Sequence, residues 1–154
     1  MGGRSYPLRT MGLVCAVTWL ACFPAHASTT LDLGAYKGRV VYLDFWASWC
    51  APCRHSFPWM EQLRDTYGPQ GLTIVAVDVD ANHADAERFL QQFNPRFKIR
   101  FDPSGSLAAS YKVEGMPTSF MIDRHGVVRY TQVGFRPGDQ AKIEGELRIL
   151  LDEK

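Results

Sequence analysis

Cys50 and Cys53 stand three positions apart, with Ala51 and Pro52 between them. Two thiols at that spacing at the start of a helix close a small ring that opens and closes at little cost, which suits dithiol–disulfide exchange. The attacking species in such chemistry is the thiolate. Cys50 is expected at the N-terminal end of the helix, where unpaired N–H groups and the helix dipole favour negative charge. Cys53, one turn further in, is expected to be buried and to resolve a mixed disulfide. Trp49 is expected to cover the sulfurs beside the site. Two other uses of the pair compete with exchange. A structural disulfide over so short a loop removes very little entropy from the unfolded chain. A zinc site needs about four ligands, and no second CxxC or close His pair follows. His55, His83 and His125 read as a solvated helix face, a cap and a turn. Arg54 reads as a surface charge. Phe57, Trp59 and Met60 are candidates for an apolar docking surface beside Cys50, with part of that stripe needed for the core.

The N-terminus bears on the compartment in which these thiols work. Arg4 and Arg9 precede an apolar stretch from Met11 to Phe23, followed by Pro24 and Ala25-His26-Ala27. This order reads as a secretory signal peptide over residues 1–27, cut before Ser28. The apolar stretch is shorter than the roughly 20 residues that span a bilayer, which disfavours a retained anchor. A lipoprotein reading on Cys22 lacks the usual leucine in the preceding Trp19-Leu20-Ala21. Cleavage removes Cys15 and Cys22 and leaves Cys50 and Cys53 as the only thiols of one domain, residues 28–154. An exported chain with one closely spaced pair has no disulfide framework. Formal net charge is +1, so no basic excess points to nucleic acid and no acidic tract to a disordered tail.

Local patterns outline the elements that must position the pair. Val40 to Trp46 is an almost unbroken apolar run, the pattern of a strand buried on both faces. Pro52 suits a first helical turn. Phe57, Met60, Leu63 and Tyr67 recur at helical spacing until Gly68-Pro69, and Pro58 inside that helix is expected to kink it. Leu72 to Val79 reads as a second strand. Asn82 and Asp85 start a helix with Ala86, Phe89, Leu90 and Phe93 on one face. Phe97 to Phe101 reads as a short strand and Ser104 to Tyr111 as a helix. Thr118–Ile122 and Val127–Val133 flank a hairpin turn at 123–126. Ile143, Leu147, Leu150 and Leu151 stripe a last helix. The fold class is α/β, with a central mixed sheet and helices on both faces.

Asp44 to Cys53, reading DFWASWCAPC, resembles the active-site segment of the thioredoxin superfamily. Pro58 is similar to the proline of that family's active-site helix. Met116-Pro117-Thr118 resembles the loop whose cis-proline faces the sulfurs and helps bind substrate. The segment Asp78 to Phe101 resembles the insert of TlpA/ResA-type exported thioredoxins. The resemblance implies a thioredoxin-like fold with catalytic Cys50, Cys53 and Asp44, and substrate binding at Trp49, Met116, Pro117 and Thr118. It implies no bound cofactor beyond the redox-active pair. Asp44 takes the place of the buried carboxylate that accepts the second thiol's proton, and burial should raise its pKa toward neutrality. Val77 is expected where thioredoxin has a lysine near that acid. Ser56 stands where ResA-type chains carry a glutamate.

For function, the resemblance implies a monomeric periplasmic reductant of partner proteins, supplied by a membrane thiol transporter and active in cytochrome c maturation or related thiol reduction. Ala51-Pro52 adds no charge or imidazole to stabilise the thiolate, which favours the reducing direction. The alternatives are a dithiol oxidant that introduces disulfides, and a non-enzymatic module that holds a client or Cu(I).

Overall fold

The computed structural model describes residues 1–3 and 31–153. Most of the expected signal segment, including Arg4, Arg9, Cys15, Cys22 and the cleavage site, lies outside the described residues.

The strands follow the apolar runs. β1 (Val40–Trp46) and β2 (Leu72–Asp78) pair in parallel, and β2 pairs in parallel with β3 (Lys98–Phe101). β4 (Thr118–Ile122) runs antiparallel to β1, and β5 (Val128–Val133) closes the far edge through the expected hairpin. The sheet order is β3-β2-β1-β4-β5, so β1 is central and is buried along its whole length. The hairpin turn is held by Asp123, whose Oδ1 accepts the N–H groups of His125 (2.9 Å) and Val127 (3.0 Å). Gly126 takes φ +84°, a conformation that glycine reaches without a Cβ clash.

Among the described residues four α-helices cover the sheet: α1 (Ala51–Tyr67), α2 (His83–Phe93), α3 (Ser106–Ser110) and α4 (Gln140–Asp152). Asn82 caps α2 by accepting the Ala84 N–H at 3.1 Å, as its residue type predicts. Pro58 lies on the exposed side of α1, and the helix runs on through it. The insert-like segment Asp78 to Phe101 is built as α2 followed by β3, which adds the strand at the sheet edge beside β2.

Alternation along β1 sorts the core into two layers. Val40, Tyr42 and Trp46 pack under α1, α2 and α4 with Phe57, Met60, Leu63, Phe89, Ile143 and Leu147. Val41, Leu43 and Phe45 face the other side, with Val75, Val77, Leu107, Phe120 and Ile122. Phe89 joins α2 to the first layer, with its ring 4.7 Å from Trp46 and 4.8 Å from Phe57. The apolar stripe of α1 belongs wholly to this layer. Phe57, Trp59 and Met60 are 1%, 3% and 0% exposed, so none of them forms the docking surface suggested for them. Trp59 meets Phe135 at 5.1 Å, and its Nε1 donates to Glu144 at 3.3 Å.

Candidate active site

β1 ends at Trp46, and the chain turns through Ala47-Ser48-Trp49 into α1. Cys50 is the N-cap of that helix in extended backbone conformation (φ −80°, ψ 105°), and its Sγ accepts the Cys53 N–H at 3.2 Å. A sulfur therefore meets one of the unpaired N–H groups that every helix start presents. The two cysteines are joined as a disulfide, with S–S 2.02 Å and Cα–Cα 5.3 Å. Cys53 is fully buried and Cys50 nearly so. Ser56, one turn further on, is also buried, and its hydroxyl donates to the Cys53 carbonyl at 3.1 Å.

The preceding turn is gripped from the loop that follows β2. The N–H of Ser48 donates to Asp80 Oδ2 at 2.7 Å and its hydroxyl donates to Oδ1 at 3.0 Å. Asp80 in turn donates its N–H to Asp78 Oδ1 at 3.3 Å, and both acids are buried. Burial, then the adjoining Asp80 carboxylate, pushes the Asp78 pKa up. Arg54 holds α1 to α2 by donating to Gln92 Oε1 at 2.7 Å, with its guanidinium over the Phe89 ring. Trp49 stands out at 71% exposed, beside Ser48 and Arg54 and above the α2 residues Arg88 and Gln92.

Asp44 lies on the β1 face that α1 covers, between Tyr42 and Trp46, and is completely buried. Burial pushes its pKa up to about 7, against the lowering effect of a hydrogen bond from Ser119. Ser119 Oγ donates to Asp44 Oδ1 at 2.7 Å and accepts from the Tyr42 hydroxyl at 2.8 Å. The β1–β2 register sets Ala76 beside Asp44, and Val77 packs in the opposite layer. The expected place of Val77 near the acid is thus off by one residue, which in a strand is the other face.

The Met116–Pro117 peptide bond is cis. Pro117 is buried, Met116 half-buried, and the Thr118 hydroxyl turns back to donate to the Gly115 carbonyl at 2.7 Å. The Pro117 carbonyl accepts the Gly134 N–H at 2.8 Å, which ties the loop to the end of β5. His55 and His125 are exposed, and His83 pairs with Glu87 at 3.2 Å on the surface of α2. Among the described residues no group of three or more His, Cys, Asp or Glu side chains is placed to hold a metal ion, and no helix is long and apolar enough to cross a membrane.

Residues 22–147 match the Redoxin family. The chain belongs to that family. A thiol-disulfide oxidoreductase ResA from Bacillus thuringiensis subsp. konkukian is 36% identical over 98 residues, 64% of this chain and 57% of ResA. The chain thus spans little more than half the length of that relative. Among solved structures, a Chlorobium tepidum protein provisionally assigned as thiol:disulfide interchange protein DsbE has a TM-score of 0.76 and 50% identity, covering 77% of this chain and 84% of that one. The pneumococcal exposed lipoprotein thioredoxin Etrx1 from Streptococcus pneumoniae has a TM-score of 0.67 and 31% identity, covering 77% of this chain and 90% of that one. The α/β fold of this Redoxin chain is therefore thioredoxin-like and of TlpA/ResA type.

The sequence reading singled out Cys50, Cys53, Asp44, Trp49 and the Met116–Thr118 loop. The structure sets the cysteines at the start of α1, Trp49 just before it, Asp44 on the β1 face that α1 covers, and the loop at the entry to β4. The sequence reading missed Tyr42, Ser48, Asp80 and Ser119. The one available signal was the pair of hydroxyl residues Thr118 and Ser119 opening a buried strand, positions that must find hydrogen-bond partners.

Proposed function

We propose that this chain is a thiol–disulfide oxidoreductase that works outside the cytoplasm as a reductant of partner-protein disulfides. The observation that carries the reading is the Cys50–Cys53 pair at the start of α1, with a buried acid on the strand face behind it. In the reduced protein the Cys50 thiolate attacks one sulfur of a client disulfide, and the other client sulfur leaves and takes a proton. Cys53 then gives its proton to Asp44 and attacks Cys50 Sγ. The mixed bond breaks, the client leaves as a dithiol, and Cys50–Cys53 is the disulfide seen here. Two electrons pass to the client with two protons, one from solvent and one from Cys53 released by way of Asp44, and the pair needs no bound cofactor. Asp44 suits proton acceptance because burial holds its pKa at about 7.

Trp49, Met116, Pro117 and Thr118 are the proposed client-docking positions. The exposed Trp49 is the accessible apolar side chain beside Cys50. Thr118 contributes through backbone and loop shape, because its hydroxyl is already bonded to Gly115. Export is supported by the basic, apolar and A-x-A order of residues 1–27, and by similarity to Etrx1, an exposed lipoprotein. A monomer recharged by a membrane thiol transporter completes the proposal. Cytochrome c maturation is the client field that ResA-type similarity suggests. With buried Ser56 in place of an acid, client selection falls to the Trp49 and Met116–Thr118 surfaces.

The test is insulin reduction by dithiothreitol, with the parent compared with Cys50→Ser, together with the reduction potential of the pair. Loss of activity in the variant and a potential near the roughly −270 mV of thioredoxin support the reading. Equal activity overturns catalysis by Cys50. A potential near the roughly −120 mV of a strong oxidant reverses the direction.

A further inference from the structure

Tyr42 and Ser119 take no part in the exchange steps, yet both reach the buried acid. β4 begins at the Met116–Pro117 loop and, two residues on, sets Ser119 directly opposite Asp44 in the β1–β4 ladder. Ser119 is 3% exposed, and Tyr42 and Asp44 are 0% exposed. The Tyr42 hydroxyl gives its only proton to Ser119 Oγ at 2.8 Å. The serine's own proton is thereby aimed at Asp44 Oδ1, 2.7 Å away. Oδ2 of the same carboxyl is buried and has no hydrogen-bond partner among the described residues. The two oxygens are thus unlike: one is bonded by a neighbour on β4, and the other is buried with its lone pairs unclaimed among the described residues.

We propose that Ser119, oriented by Tyr42, is the positioning residue for Asp44: it occupies Oδ1 and leaves Oδ2 as the oxygen that takes the Cys53 proton. The inference rests on the proposed role of Asp44 as acceptor. The proton leaves Cys53 Sγ and arrives on Oδ2, and the sulfur keeps the electron pair with which it attacks Cys50. Ser119 keeps its proton throughout and bonds most strongly to the ionised carboxylate. Burial and the nearby Asp44 push the Tyr42 pKa far up, so Tyr42 stays a donor. The other titratable groups on the face of the sheet that carries the acid are Cys50 and Cys53 on α1, which pack in the layer of Tyr42 and Trp46, and the buried Asp78 of β2. Asp78 stands beside Trp46, two residues beyond Ala76, and its own signal must be assigned separately in the titration. β2 offers Ala76, β4 has no charged side chain, α2 turns Ala86 and Phe89 inward, and α4 turns Ile143, Leu147, Leu150 and Leu151 inward.

The Asp44 carboxyl is titrated by NMR in the oxidised protein labelled with 13C-aspartate, where neither Cys50 nor Cys53 ionises. A hydrogen bond to a charged group is worth about 1.5–3 kcal/mol, so Ser119→Ala should raise the Asp44 midpoint by about one to two pH units. Ser119→Thr, which keeps the hydroxyl, should restore it, and Tyr42→Phe should raise it by a smaller amount. An unmoved midpoint in Ser119→Ala, or a threonine variant shifted as far as the alanine one, overturns the proposal. If Ser119→Ala does not fold, Tyr42→Phe decides alone, and an unchanged midpoint there overturns it. The acceptor role itself is read on a different signal, the rate of mixed-disulfide resolution in Asp44→Asn. A parental rate at pH 7 overturns that role whatever the carboxyl titration shows.

Discussion

Asp44 should cost this protein stability at the pH where it works. An acid with a folded-state pKa raised above its unfolded value binds its proton more tightly in the fold. Stability is then greatest below the unfolded pKa and falls as pH rises through the folded one. For Asp44 the rise is from the ordinary 3.8 to about 7. At 1.36 kcal/mol per pH unit, a rise of about 3 units corresponds to about 4 kcal/mol. Asp44→Asn keeps the shape and an oxygen for Ser119 to donate to, but carries no charge to desolvate. Above pH 8 the variant should therefore be more stable than the parent by up to about 4 kcal/mol. The difference should shrink across pH 7 to 4 and vanish below. Urea unfolding of both oxidised proteins at unit pH steps gives the comparison, and subtraction cancels every group the two share. A difference flat across pH 4–8, or one that grows toward acid, refutes the assignment of Asp44 as a desolvated acid. Resolution of the mixed disulfide should slow in the same variant, so activity and stability should move in opposite directions.

Two further perturbations probe what surrounds the pair. Asp80→Ala removes both hydrogen bonds to Ser48 and leaves its partly buried N–H unpaired; a loss of about 1–3 kcal/mol in urea unfolding is expected, with a fall in kcat/KM for insulin reduction as the turn before Cys50 loosens, and full stability with full activity would show that Asp80 does not hold that turn. Phe89→Ala, at a 1% exposed ring packed on Trp46, Phe57 and Phe93, should cost about 3–5 kcal/mol; a loss under about 1 kcal/mol would mean that α2 is not bound to the sheet through this ring.

What was legible in the sequence was what local chemistry fixes. The run from Val40 to Trp46 reads as a buried strand, Asn82 as the start of its helix, and Asp123 with Gly126 as a hairpin turn, and the structure builds all three. The cysteine pair was marked by its spacing together with its place between an apolar strand and a helix start. What escaped needed a partner distant in sequence. Ser119 is 75 residues from Asp44, and only the antiparallel register brings the two together. Asp80 is tied to Ser48 across 32 residues, and nothing local distinguishes it from a solvated loop acid. Trp59 offered both a docking and a core reading, because an apolar stripe on α1 does not say which residues α4 and the end of β5 will cover. The exchange of Val77 for Ala76 beside the acid is a counting error of one position that strand alternation turns into a change of face.

That sensitivity to parity is also how the site is held together. Asp44 is useful only on the layer that contains Cys53, and every alternate residue of β1 lies on the other layer. A slip of one residue against either neighbour would bury the carboxyl against Leu107 and Phe120 and bring Leu43 or Phe45 under α1. The register is secured by seven partner positions to β2 and five to β4, and by the large side chains Tyr42 and Trp46 that flank the acid on its own face. Cys50 then follows Trp46 by a turn pinned at Ser48, and Cys53 follows Cys50 by one helical turn. The separation of thiol and acid is therefore set by a central strand, a two-point anchor and a helix start. These are regular, hydrogen-bonded parts of the fold, whereas of the proposed client-docking positions Trp49 is exposed, Met116 half-buried, and Pro117 and Thr118 buried. For the proposed exchange, which needs a constant proton path while clients differ in shape, a fixed interior register beside the exposed Trp49 would provide for both.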